Sequence, residues 1–128
     1  MTTFAGRIIH DGEASGTALV SSAPLSFFGG FDLETGVVVE RGHPLEGQCV
    51  AGRVLVFPRG TGSTVGSFAL LRLARAGLGP AALVMESCDT TVAVGAIISE
   101  IPCVDQLDLA PFATGIDVTV KGGEVSLG

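Results

Sequence analysis

The segment from Val50 to Met85 constrains the fold of this 128-residue chain more than any other part of the sequence. Val50 to Pro58 (VAGRVLVFP) is a nearly continuous apolar run that ends at a proline, as is typical of a buried central strand. The glycine loop Arg59 to Gly62 comes next, and Ser63 to Gly77 then has helical periodicity. Ala81 to Met85 is a second buried strand. This order of strand, loop, helix and strand predicts a sheet with a helix packed on it.

The rest of the chain is mostly β-like. Thr91 to Ser99 (TVAVGAIIS) fits a short helix or a strand, because its period does not decide. A turn is predicted at DGEASG, residues 11–16. The remaining strands are predicted at Phe4 to Ile9, Thr17 to Ser21, Val37 to Glu40, Ile101 to Val104, Ile116 to Val120 and Glu124 to Leu127. We predict one domain over residues 1–128, of mixed α/β class, with a barrel-like sheet and one or two packed helices.

Charge and composition exclude several classes of function. The net charge of −6 and the absence of a basic run argue against nucleic-acid binding. No apolar stretch reaches the length of a membrane span, and the N-terminal sequence MTTFAGRIIHDG is unlike a signal peptide, so we expect a cytoplasmic protein. Apolar residues make up 47% and charged residues only 16%. Such a composition is typical of a well-buried β-rich domain or of one that a stable partner covers.

The cysteines and histidines do not form a metal-binding pattern. Cys49, Cys88 and Cys103 are widely spaced without a CxxC pair, and His10 and His43 stand at no metal-ligand spacing from them. We interpret all five as packing or loop residues. If the protein works with a metal or a cluster, we expect the ligands on another chain.

The glycine loop is the most chemical feature of the sequence. In FPRGTGSTVGS, residues 57–67, a buried strand leads through glycines into a helix N-terminus, where free N–H groups can hold an oxyanion. Ser63 and Thr64 lie there with hydroxyls available, although Ser63 could simply cap the helix. The loop is neither a Walker motif nor a dinucleotide fingerprint. No histidine lies near it to complete a serine triad.

A second unusual segment is PLSFFGG, residues 24–30, which contains Ser26. It is either a buried loop plug or a surface that meets substrate or partner. In the second interpretation Ser26 is a candidate substrate contact.

Three segments together resemble a known family. GTALVSSAPLSFFGGFDLETG, VAGRVLVFPRGTGSTVGS and VGAIISEIPCVD are similar to the small subunit of the aconitase X family, in the same order and spacing, from about Gly6 to Asp105. The resemblance implies the swivelling β/β/α domain of aconitase-type hydro-lyases. It also implies a large catalytic subunit, in a heterodimer or higher assembly, that carries a 4Fe-4S cluster or an iron site, with no cofactor bound by this chain.

The resemblance assigns roles to residues of the glycine loop. The serine after the loop is the catalytic base in this family, and it corresponds to Ser63. Gly62 and Thr64 would hold a carboxylate or phosphate oxygen of the substrate. Ordinary aconitases have a substrate-binding arginine two residues after the serine; here that position is Val65, which puts tricarboxylate chemistry in doubt. Arg59, the nearest cation, is either a substitute for that arginine or a solvated loop residue.

Two substrates are associated with the family, mevalonate 5-phosphate and cis-3-hydroxy-L-proline. The STVGS part of the loop favours the first, whereas Thr61 stands where a phosphate-binding cation would be expected. A non-catalytic binding module remains an alternative, because the chain has no complete catalytic set.

Overall fold

The computed structural model describes residues 2–61 and 65–128. The helices are α1 (Val65–Arg75) and α2 (Thr90–Ser99). The strands are β1 (Thr2–Ala5), β2 (Arg7–His10), β3 (Glu13–Val20), β4 (Phe31–Asp32), β5 (Val37–Val38), β6 (Val54–Phe57), β7 (Ala82–Met85), β8 (Cys103–Asp105), β9 (Asp117–Lys121) and β10 (Glu124–Leu127). The described residues therefore form a mixed α/β domain, as the sequence predicts.

Strands β6 and β7 form the centre of the sheet. They pair in parallel, with Val54 opposite Ala82 and Phe57 opposite Met85, and all of their residues are buried. Alternate residues of β6 enter different parts of the core: Leu55 and Phe57 pack on the helical side, while Val54 and Val56 pack inside the curved sheet. Burial on both faces explains why these strands read as continuous apolar runs.

The main sheet curls towards closure, with the strand order β1-β10-β9-β3-β6-β7-β8-β2. Its two outermost strands, β1 and β2, are consecutive in the chain and only Gly6 separates them. The edges must therefore meet at Gly6, where a Cβ atom would lie 2.5 Å from the Asp105 carbonyl oxygen. Only glycine fits this contact, and the sheet is barrel-like as predicted.

Two details of the sequence prediction are wrong. Phe4 to Ile9 is not one strand, because the chain changes from one sheet edge to the other at Gly6. The turn predicted over residues 11–16 is shorter, since Glu13 already starts β3, which runs antiparallel to β9. Cross-strand pairing thus outweighs the local turn preference of residues 13–16.

The undecided segment at residues 91–99 is a helix. Asp89 caps its N-terminus by accepting a hydrogen bond from the Val92 N–H, and Glu100 ends it in the left-handed conformation. It packs closely on α1, because Gly95 lies against Leu70 and the Ser67 hydroxyl donates to the Thr91 carbonyl at 2.7 Å. Within the described ranges, neither helix is long and apolar enough to cross a membrane.

Candidate active site

The glycine loop leaves the carboxyl end of β6 and leads into α1. Ser63, Gly62 and Thr64, the predicted base and its neighbours, lie outside the described residues. The structure describes the loop up to Thr61 and the helix from Val65. The described part of the site therefore consists of the two ends that flank these three residues and of the segments that contact them.

One side of the loop is held by the PLSFFGG segment. The Leu25 N–H donates to the Arg59 carbonyl at 3.1 Å, and the Thr61 N–H donates to the Leu25 carbonyl at 2.9 Å. Leu25 and Gly60 form a parallel β-bridge. The two segments that the sequence singles out are thus neighbours, and Leu25 itself is buried at 2% exposure.

His43 forms a hydrogen bond with the same segment. Its Nδ1 accepts a hydrogen bond from the Leu45 N–H at 3.0 Å, so Nε2 carries the proton and donates to the Pro24 carbonyl at 2.9 Å. The ring is buried in this arrangement. The interpretation of His43 as a packing residue therefore agrees with these contacts.

The other side of the loop is held by Asp89. Its Oδ1 accepts a hydrogen bond from the Gly60 N–H at 2.8 Å, while Oδ2 accepts from the Val92 N–H at 3.3 Å. One carboxylate thus joins the loop to the start of α2. The role of Asp89 was not predicted from the sequence, although an aspartate just before a possible helix is a recognised signal for the start of a helix.

Of the two remaining predicted contacts, Arg59 is the first residue of the loop and Ser26 lies in the PLSFFGG segment beside it. Arg59 is exposed, and its carbonyl is bonded to Leu25. Ser26 is half-buried and its hydroxyl donates to the Phe28 carbonyl at 2.7 Å. The structure brings their backbones together through the Leu25–Gly60 bridge, and both roles in substrate binding stay predictions.

Large apolar side chains are exposed in the two segments that adjoin the loop, PLSFFGG and the start of α1. Phe28 is 56% exposed and Phe68 is 65% exposed, and Val65 at the start of α1 is 48% exposed. Gly66 connects them, because its neighbours are the Phe28 N–H and the side chain of Phe27. An exposed apolar surface beside a candidate site is typical of a contact with another chain.

An ion pair between exposed Arg7 and buried Asp105 anchors the segment that leads to Asp89. Asp105 is fully buried and accepts two hydrogen bonds from the Arg7 guanidinium, at 2.9 and 2.8 Å, and a third from the Cys88 N–H at 2.8 Å. Burial alone would raise the pKa of Asp105. The hydrogen bonds from Arg7 and Cys88, with the charge of Arg7, outweigh this effect and hold its pKa below the ordinary value.

The thiol of Cys103 is not activated in this network. Cys103 is buried, and a hydrogen bond with Cys88 together with burial raises the pKa of its thiol. Over residues 2–61 and 65–128, no group of three His, Cys, Asp or Glu side chains is placed to hold a metal ion.

Comparison with known families gives this geometry a context. The sequence model of the aconitase X swivel domain matches residues 3–127. The chain belongs to the aconitase X swivel-domain family. The predicted resemblance is thus confirmed, and it extends beyond Asp105 to nearly the whole chain.

Relatives of this swivel domain come from several archaea. The phosphomevalonate dehydratase small subunit of Thermococcus kodakarensis is 47% identical over 124 residues, which cover 95% of this chain and 93% of the relative. The protein of the same name from Methanocella arvoryzae is 50% identical and covers 91% of both chains.

The fold of the swivel domain is also found in a solved structure. A crystal structure of Thermococcus kodakaraensis aconitase X in its holo form matches with a TM-score of 0.98 and 45% identity. The match covers 100% of this chain and 99% of that one. The predicted swivelling β/β/α fold is therefore confirmed.

Proposed function

We propose that this chain is the small subunit of a two-subunit hydro-lyase, phosphomevalonate dehydratase. The complex would convert mevalonate 5-phosphate into trans-anhydromevalonate 5-phosphate by eliminating water. The observation that carries the proposal is the set of relatives of that name, 44–50% identical over at least 91% of this chain. Elimination of water is the reaction expected of an aconitase-type enzyme, which supports the proposal. We also propose a cytoplasmic location.

Ser63 acts as the base in this proposal. It stands two residues before Val65, the first residue of α1, and the N-terminus of a helix carries partial positive charge. This charge would stabilise an alkoxide and lower the pKa of the hydroxyl. Ser63 would take the proton from carbon, while Gly62 and Thr64 hold an anionic oxygen of the substrate.

Arg59 and Ser26 complete the substrate contacts of the proposal. The exposed guanidinium of Arg59 is available for a phosphate oxygen, which suits a substrate with a phosphate group. The hydroxyl proton of Ser26 is used by the Phe28 carbonyl, so its oxygen is left to accept a hydrogen bond. Ser26 would therefore accept from a hydroxyl group of the substrate.

The large subunit supplies the rest of the site. A 4Fe-4S cluster or iron held there would act as a Lewis acid for the leaving hydroxyl group. We assign the apolar surface of Phe28, Val65 and Phe68 to the contact with that subunit, because it borders the loop that must face the substrate. Excluding water at this border would strengthen every charge interaction inside the site.

The test begins with the complex. The tagged chain is purified under anaerobic conditions from its own cells, and the co-purifying protein is identified and its absorbance recorded. The complex is then offered mevalonate 5-phosphate and, separately, cis-3-hydroxy-L-proline. We expect a larger iron-containing partner and turnover of mevalonate 5-phosphate.

Ser63→Ala decides the role of the serine. We expect kcat to fall by about 10²- to 10⁴-fold with the complex intact, as is usual for loss of an acid–base group. Ser15→Ala, an exposed serine of β3, is the matched control and should keep full activity. Full turnover by Ser63→Ala would refute its assignment, and a chain that purifies alone and colourless would refute the two-subunit enzyme.

A further inference from the structure

The glycine loop is held between two other segments. Leu25 contacts it through backbone groups, whereas residues 87–89 also contact it through a carboxylate side chain. The Ser87 N–H donates to the Pro58 carbonyl at 3.0 Å, so this segment runs beside the start of the loop. Two residues further on, Asp89 reaches Gly60 through its side chain, over a sequence separation of 29 residues. The loop conformation therefore depends on a carboxylate from a different part of the chain.

Gly60 is fitted tightly into this contact. A Cβ atom at position 60 would collide with the Val92 Cγ2 and would lie 2.8 Å from Asp89 Oδ1. Gly60 is also buried, so in the intact protein its N–H is shielded from water and bonded to the carboxylate. The glycine is needed for close approach, and within the described residues its N–H donates to the Asp89 side chain.

The position of Asp89 is in turn fixed by hydrogen bonds of Asp89 and of the residue before it. The preceding residue, Cys88, donates its N–H to the buried carboxylate of Asp105 at 2.8 Å, and Asp105 is paired with Arg7. The Asp89 carboxylate itself uses both oxygens, one for Gly60 and one for the first turn of α2. A chain of polar contacts thus runs from the sheet edge through Asp89 to the loop.

We propose that Asp89 is a positioning residue for the reaction: it holds the glycine loop at Gly60 and thereby sets where the residues that follow meet the substrate. The inference rests on the proposed function. The inference also extends the proposed function, because Asp89 lies outside the loop and is not among the residues to which the family resemblance assigns a role. Small displacements of a reacting group are costly, since an error of about 1 Å can lower a rate by about 10²-fold.

Asp89→Ser separates positioning from helix capping. Serine is as good an N-cap as aspartate, but it has one acceptor oxygen on a shorter side chain and cannot serve both Val92 and Gly60. In the complex with the large subunit, we expect kcat to fall by about 10- to 100-fold with KM changed by less than about threefold. Asp89→Asn keeps the length of the side chain and one acceptor, so its kcat should lie between wild type and Asp89→Ser.

A stability control and a second measurement complete the experiment. Val125→Ala removes buried volume in the other part of the core, inside the curved sheet, and should lower the melting temperature without changing kcat. Hydrogen exchange of the Gly60 amide, measured by NMR on the isolated chain, should become at least about tenfold faster in Asp89→Ser and stay protected in Val125→Ala.

The outcomes separate this inference from the proposed function. Wild-type kcat in Asp89→Ser, or a Gly60 amide as protected as in wild type, would overturn the positioning role. If the wild-type complex does not dehydrate mevalonate 5-phosphate, the proposed function fails. The exchange rate of the Gly60 amide still decides, in that case, whether Asp89 holds the loop.

Discussion

The two helices pack against each other but differ in what they expose. Helix α1 buries Ala69, Leu70 and Leu73 and carries Arg72 and Arg75 in its last turn. Helix α2 buries Val92 and Ala96, yet Val94, Ile97 and Ile98 on its outer side are 40–50% exposed. The first helix is amphipathic along most of its length, and the second is apolar on both sides.

This difference decides which helix could be predicted from the sequence. In α1, Arg72 and Arg75 fall between the apolar residues and make the helical period visible, whereas apolar residues all round hide the period of α2. The two helices also differ in how the site uses them. Helix α1 follows the loop in the chain, and α2 holds the loop from outside through the residue that caps it, Asp89.

Removing the anchor of the segment before α2 gives the largest expected change in stability. Arg7→Met leaves the fully buried Asp105 carboxylate with the Cys88 N–H alone, whereas Asp105→Asn leaves a half-exposed guanidinium that water can solvate. We expect Asp105→Asn to lower the free energy of unfolding by about 1–3 kcal/mol and Arg7→Met to lower it further. Urea unfolding at pH 7 measures both.

The pH dependence of stability has opposite signs in the wild type and in Arg7→Met. In wild type the pKa of Asp105 is lowered by folding, so its contribution is complete above about pH 4 and is lost as the pH falls through the folded-state pKa. In Arg7→Met the pKa of the unpaired buried carboxyl rises, so protonation below neutral pH restores part of the stability. Parallel pH profiles for the two proteins would contradict this account.

The outward faces of the helices can be compared directly. We expect Phe68→Ser on α1 to weaken binding to the large subunit by about tenfold or more, because Phe68 is exposed in the first turn of the helix that follows the glycine loop. Ile97→Ser on α2 is the matched change, of similar exposure, and should have the smaller effect. Titration of each variant with the large subunit measures both affinities, and a larger effect of Ile97→Ser would move the contact to α2.

The smallest expected effect is at the end of α2. Glu100 has φ = 57° in the left-handed region, which glycine adopts without strain. Glu100→Gly should therefore raise the free energy of unfolding by about 0.5–1 kcal/mol without changing activity. Thermal melting checks this, and a lower melting temperature would show that the Glu100 side chain stabilises the helix end.

The sequence predicted the parts of the fold that depend on local pattern. Helix α1 and the buried strands β6 and β7 were found because their apolar residues follow one period or form one continuous run. The division of the first strand at Gly6 was missed, since it depends on the distant contact with Asp105. Pairing between distant segments leaves no periodic trace in either of them.

The candidate site was predictable in the same limited way. The glycines and hydroxyls of the loop are adjacent in sequence, so the loop could be found, and the family resemblance placed the serine within it. Leu25 and Asp89, which hold the loop, come from segments far away in the chain. An aspartate before two threonines predicts a helix start, but nothing local shows that its second oxygen binds Gly60.

The junction at Gly6 also affects how the chain behaves in a concentrated solution. Exposed sheet edges are templates for strand addition between molecules, and so they promote aggregation. Here the outermost strands are four residues each and meet at one glycine, which contacts the β9–β10 turn through the Gly123 carbonyl at 2.8 Å. A substitution at Gly6 would separate the edge strands β1 and β2. Their unpaired backbone groups would then be available to pair with strands of other molecules.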